Sequence, residues 1–295
     1  MGKSKKQQRY YDTNKGLPIS KIHTIKNQIR RKFGKTKMVK KIHMGINRDE
    51  FVLFYQPEYN LATSKIMGVE ALVRWVSPEK GIISPDCFIP IAEKTNLIYE
   101  LERTIIRKAL EQKLEWERQG LGHIELSINL SSKSIESEDD FRLIEEIISS
   151  YKINYNTLIF EITETTVIEN IDLAMVRLNR LKSLGIKIAL DDFGAGYSSL
   201  THLVRLPIDI IKIDRSFINS IPDGNDERAI TKNILSMARD LNFKVVAEGI
   251  ETKEQLEYLQ KNFCEGGQGF LLCVPLPPEQ VVEVIKETSS IVERE

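Results

Sequence analysis

The sequence predicts an α/β fold, a modified (β/α)8 TIM-type barrel with an antiparallel first strand. Three observations predict it. Beyond residue 50, eight short β-branched runs alternate with longer stretches of helical period. The first two runs are separated only by Pro57 to Ile66, whereas a parallel crossover takes about a dozen residues or more. Nearly every run also ends in, or carries, a polar or charged residue that a core strand should not contain, and parallel barrels build their active sites at that end of the strands.

Strands are predicted at 51–56, 67–75, 124–130, 157–162, 186–191, 208–213, 244–248 and 266–270. Helices fit best at 88–96, 99–118, 138–150, 171–184, 225–241, 253–261 and 278–287. Between the first two strands, the turn-like Asn60-Leu61-Ala62-Thr63-Ser64 makes a hairpin. Ahead of the barrel, Met38, Val39 and Ile42 suggest a short helix leading into it. Ile19, Ile22, Ile25, Ile29 and Phe33 recur at helical spacing among Lys21, Lys26, Arg30, Arg31 and Lys32, and Gly34 stands where such a helix would end.

Composition excludes several classes. Of 295 residues, 41% are hydrophobic, enough for a sizeable core. No run approaches the roughly 18 apolar residues of a membrane span, and the start lacks a signal-peptide core. Cys87, Cys264 and Cys273 form no CxxC pair, so a cytoplasmic setting is expected. The formal net charge of zero hides a split. Residues 1–50 hold 15 Lys or Arg against 3 Asp or Glu, a balance that the rest of the chain reverses. The expected division is a basic, partly helical extension over 1–45 and a catalytic domain over 46–290.

Gln56, Asn129, Glu161, Glu164, Asp191, Asp192, Asp214 and Glu248 fall at or just beyond strand ends, and Glu70, Arg74, Lys212 and Gln268 are carried within their strands. Strand alternation puts Glu70, Leu72 and Arg74 on one face. A converging set of carboxylates cannot stay ionised without counter-charge. Lys212 supplies one cation and Arg74 is a candidate for another; the remainder argues for bound metal. Carboxylates with an Asn carbonyl suit Mg²⁺ or Mn²⁺ rather than zinc. The adjacent Asp191-Asp192 pair suits two bridged ions and phosphoester displacement. Taken singly, each residue also fits a cap, a turn or a surface pair; the repetition at the same end of every strand is what weakens that reading. Asp192-Phe193-Gly194-Ala195-Gly196 fits either an ordinary βα loop or a mobile loop hinged at its glycines.

The blocks FYQP (54–57), GVEALVRW (68–75), SINLS (127–131), FEITE (160–164), DDFGAGYSSL (191–200), IKIDRSFI (211–218), AEGIET (247–252) and QGFLLCVPLP (268–277) resemble, in order and spacing, the EAL-domain family of cyclic di-GMP phosphodiesterases. The resemblance covers roughly residues 45–285. It implies hydrolysis of cyclic di-GMP to linear pGpG with two Mg²⁺ or Mn²⁺ ions in a homodimer. It assigns Glu70, Asn129, Glu161, Asp191 and Asp192 as metal ligands and Glu248 as general base. Lys212 matches the lysine near the nucleophile, and Glu164 the glutamate that steadies the loop after the fifth strand. Gln56, Leu72, Arg74, Asp214 and Gln268 match positions near the substrate. The departures are Gly-Ala-Gly where Gly-Thr-Gly is commonest, and Leu272 and Val274 where an aromatic and a basic residue are usual. The competing reading is a catalytically silent EAL domain that acts as a cyclic di-GMP receptor or protein-interaction module. Members of that kind have typically lost a ligand, the base or the loop glutamate, and all of these remain here.

The basic extension fits a linker, a helix packed on the barrel or on a partner, or an amphipathic helix on an anionic membrane surface. Nucleic-acid binding is the weaker reading, because no aromatic interleaving or helix-turn-helix pattern accompanies the charge.

Overall fold

The computed structural model describes residues 35–164, 170–194, 200–222 and 224–292. The predicted stretch over 19–33 and loop residues 195–199 lie outside them. Among the described residues the chain runs α1 (Lys35–Asn47), β1 (Phe51–Asn60), β2 (Ile66–Ser77), β3 (Gly81–Ile83), α2 (Pro85–Lys94), α3 (Leu97–Arg118) and β4 (Glu125–Asn129). It continues through α4 (Ser132–Glu136), α5 (Glu138–Ser149), β5 (Leu158–Thr163), α6 (Ile171–Ser183), β6 (Lys187–Phe193), α7 (Leu200–Arg205) and β7 (Ile210–Ile213). It ends with α8 (Arg215–Asn219), α9 (Asn225–Asp240), β8 (Lys244–Ala247), α10 (Lys253–Lys261), β9 (Gly266–Gly267) and α11 (Pro278–Val292).

Eight strands close a ring in the order β1–β2–β4–β5–β6–β7–β8–β9 and back to β1, with β3 attached to β2 outside it. From β2 to β9 the ring is parallel, while β1 is antiparallel to both neighbours. The short connection thus makes the predicted hairpin. Asn60 Oδ1 holds its turn by accepting from the backbone N–H groups of Ala62 and Thr63.

β1 runs four residues past the predicted end at Gln56, straight through Pro57. Tyr55 exchanges both backbone hydrogen bonds with Leu276, at 2.7 and 2.8 Å. Pro57 lies two residues on, so its missing N–H faces the same way, away from the ladder with β2. Three short elements, β3, α4 and α8, carry too few residues to show a period in the sequence.

Two apolar masses pack the helices onto the barrel. The larger lies between the strands and the outer helices, where Leu126, Ile128, Phe160, Ile162, Ile188 and Ile211 are fully covered or nearly so. The smaller joins α1, α2 and α3 to one side, with Met38 and Ile42 packed on Phe51, Trp75 and Phe88. The Phe51, Trp75 and Phe88 rings lie 5.2–5.8 Å apart, stacked or edge-on, contacts of about 0.5–1.5 kcal/mol each beyond burial. Among the described residues no helix is long and apolar enough to cross a membrane.

Candidate active site

Inside the barrel the side chains change character along each strand. Ile159, Ala189, Ile210 and Val246 form a buried apolar layer. Two residues further along the same strands or just beyond stand Glu161, Asp191, Lys212 and Glu248. The period of two keeps each pair on one face of its strand, so the polar layer sits directly on the apolar one.

Lys212 is the hub. Its Nζ lies 3.1 Å from Glu70 Oε2, 2.9 Å from Glu161 Oε1 and 2.7 Å from Glu248 Oε1, at 1% side-chain exposure. Burial alone would lower its pKa, but the three carboxylates hold it well above the usual lysine range. Gln268 Nε2 donates to Glu70 Oε2 (2.7 Å) and Glu248 Oε1 (2.9 Å), and Asn129 Nδ2 donates to Glu70 Oε1 (2.9 Å). Burial pushes Glu70 up, but Lys212 and these donors outweigh it and hold the carboxyl below its ordinary value.

Glu161 has the opposite balance. Burial first, then Glu70, pushes it well above the carboxylate range. The Lys212 ammonium lies within ion-pair distance, yet neither Glu161 oxygen receives a hydrogen bond, and both are buried. The cation attracts the carboxylate without the alignment a hydrogen bond needs. Burial likewise raises Asp191 and takes Glu248 to about 8, while Asp192, an exposed residue, is raised to about 6 by partial desolvation and then by Asp191.

A local irregularity brings Asp191 and Asp192 to the same mouth. Successive residues of a regular strand point to opposite faces. Here the β6–β7 register shifts between Leu190 and Phe193, and Asp192 takes a left-handed φ of 54°. Such a conformation costs about 1–3 kcal/mol in a residue with a side chain. The result is that Asp191, Asp192 and Glu248 each bring an oxygen within 4.8 Å of the others. This crowded set of hard oxygen donors, beside a buried carboxylate without donors, suits a hard divalent cation.

The other predicted residues are arranged around this centre. Glu164 is buried and accepts from the Gly194 N–H at 3.0 Å, fastening the start of the Gly-rich loop. Gly194 has a φ of +97°, and a Cβ there would meet the Phe217 ring at 2.7 Å, so glycine is required. Gln56 donates to the Cys273 carbonyl at 3.0 Å. Arg74 is half-buried and donates to its neighbour's carbonyl, Val73 O, at 2.8 Å. Leu72 pairs with Phe54 in the hairpin register and is half-buried. Asp214 caps α8 by accepting from the Ser216 N–H at 3.0 Å.

One interior acid went unpredicted. Glu58 is 2% exposed and lies two residues beyond Gln56 on the same face of β1. Burial pushes it to about 7, with Lys212 pulling it down and Glu70 pushing it up. The alternation that marks Gln56 would have found it had the strand been carried past Pro57.

An acidic, lysine-centred mouth at the strand ends lies where parallel barrels build their active sites. The EAL domain model matches residues 39–275. The chain belongs to the EAL domain family. MucR of Pseudomonas aeruginosa, a bifunctional diguanylate cyclase/cyclic di-GMP phosphodiesterase, is 38% identical over 241 residues, 82% of this chain and 35% of MucR. PdeR of Escherichia coli, a cyclic di-GMP phosphodiesterase, is 34% identical over 236 residues, 80% of this chain and 35% of PdeR. The chain therefore spans about a third of the length of these relatives. The PaMucR phosphodiesterase in complex with c-di-GMP superposes with a TM-score of 0.80 at 37% identity, over 83% of this chain and 99% of that one.

Proposed function

We propose that residues 46–290 form a metal-dependent phosphodiesterase that hydrolyses cyclic di-GMP to linear pGpG. The observation that carries this reading is the donor-free, buried Glu161 carboxylate beside the Asp191, Asp192 and Glu248 oxygens. Glu70, Asn129, Glu161, Asp191 and Asp192 would hold two Mg²⁺ or Mn²⁺ ions. When bound, such ions polarise a phosphodiester and acidify a water.

The side chains have separate tasks. Glu248, partly open to the mouth, accepts the proton of the attacking water. Oxygen then bonds to phosphorus as the bond to the 3′ oxygen breaks, and that oxygen takes up a proton. Lys212 offsets the growing negative charge on the phosphoryl oxygens. Glu164 sets the loop after β6 through Gly194. Gln56, Leu72, Arg74, Asp214 and Gln268 face the substrate. Incubating the protein with cyclic di-GMP and Mg²⁺ tests the proposal, with Glu70→Ala as control. The expected result is pGpG from the wild type alone. Tight binding without turnover under either metal would favour the silent-receptor reading instead.

For residues 1–45 we propose a peripheral contact with the anionic cytoplasmic membrane face, supported by the excess of Lys and Arg and the Ile stripe. A homodimer follows from the family resemblance, and sedimentation tests it. Pelleting with anionic liposomes should fall when residues 2–34 are deleted. Equal pelleting removes the membrane contact.

A further inference from the structure

Glu102 lies on α3, outside the barrel, and is 3% exposed. It stands on the apolar stripe of that helix, with Ile98 and Leu101 before it and Ile106 after it. Its carboxyl receives three hydrogen bonds from one short stretch of chain. Oε1 accepts from the Ser131 N–H at 2.5 Å, and Oε2 accepts from the Ser131 hydroxyl at 3.3 Å and from the Ser134 hydroxyl. A buried acid held by neutral donors is an expensive way to fasten a loop. Capping α4 does not explain it, since Ser131 Oγ already accepts from the Ser134 N–H.

What Glu102 holds and Ser131 does not is the Leu130–Ser131 peptide, one step beyond Asn129. The preceding N–H, that of Leu130, donates to the Glu161 carbonyl at 2.8 Å. The two peptides after Asn129 are therefore pinned from opposite sides, by β5 and by α3. Asn129 itself must point one way. Its Nδ2 donates to Glu70, which leaves the amide oxygen as the end that can ligate a cation.

We propose that Glu102 is a positioning residue for Asn129, holding the backbone so that the amide oxygen reaches the metal site. This rests on the reading of Asn129 as a metal ligand. Hydrogen bonds behind a ligand commonly govern metal affinity about 10–100-fold.

The test is Mn²⁺ binding to the full-length protein without substrate, by calorimetry, on wild type, Glu102→Ala, Asn129→Ala and the double variant. Glu102→Ala should weaken Mn²⁺ binding about ten-fold or more. The double variant should bind no more weakly than Asn129→Ala, because both changes remove one interaction. Glu102→Gln keeps the shape and one acceptor; it should give an intermediate loss, and it carries the test if the alanine variant does not fold. An unchanged affinity in Glu102→Ala or Glu102→Gln, or losses that add in the double variant, overturns the inference. If Asn129→Ala alone binds Mn²⁺ like the wild type, the metal assignment of Asn129 fails, and the inference fails with it.

Discussion

Two layers of the barrel interior, one residue pair apart on the same strands, follow opposite rules. In the lower layer Ile159, Ala189, Ile210 and Val246 fill space and need no partners. In the upper layer Glu161, Asp191 and Glu248 surround Lys212, and the acids outnumber the cation. The lower layer is stable as it stands. The upper one is under-satisfied, since burial disfavours the charged form of a carboxyl and a single ammonium cannot serve them all. The contrast teaches that the strands support a rigid floor, and that the fold accepts electrostatic stress only where the mouth opens.

Substitutions should separate the layers. Glu248→Gln is expected to lower turnover about 10²–10⁴-fold while the protein stays folded. Pure variant with normal melting and wild-type turnover would remove Glu248 as the base. Lys212→Ala strands three carboxylates and should destabilise the protein by about 3–5 kcal/mol, read by urea unfolding. A small loss there would mean that the acids are already neutral. In the floor, Ile210→Val should cost about 0.5–1.5 kcal/mol and leave turnover per folded molecule unchanged. A large loss of turnover would show that the two layers are not independent.

The dependence of stability on pH tests the upper layer as a whole. Glu248 and Glu58 are raised to about 8 and about 7 from an ordinary 4.5. Groups shifted upward bind protons better folded than unfolded. Their contribution is complete below 4.5 and is lost as pH rises through about 7 and 8. Lys212, also raised, keeps its contribution throughout that window, and so does the lowered Glu70. Metal-free protein should thus melt a few degrees lower near pH 8.5 than near pH 5.5, and saturating Mn²⁺ should cancel the difference. A melting temperature that ignores both pH and Mn²⁺ would contradict the stressed upper layer.

Much of this was legible beforehand. The antiparallel β1 follows from a connection too short for a crossover, and the polar strand ends predict the mouth through the period of two. Glu58 was hidden behind Pro57, which suggests a strand end in a sequence but does no harm when its missing N–H faces away from the ladder. Glu102 was masked by helical periodicity, where an acid on an apolar stripe passes for an edge residue. β3, α4 and α8 are too short for any period to show.

The two halves of the charge split serve different parts of the molecule. The acidic excess beyond residue 50 includes the carboxylates packed around Lys212, whereas the basic excess lies mostly ahead of the first described residue. By itself, the sequence determined the alternation of strands and helices, the hairpin and the identities of the polar residues, because periodicity and loop length are local properties of the chain. Only the tertiary structure decided which acids share one cation, that the bulge turns both Asp191 and Asp192 to one side, and that Glu161 is left without a donor. Those facts depend on distances between strands far apart in sequence, and no local pattern encodes them.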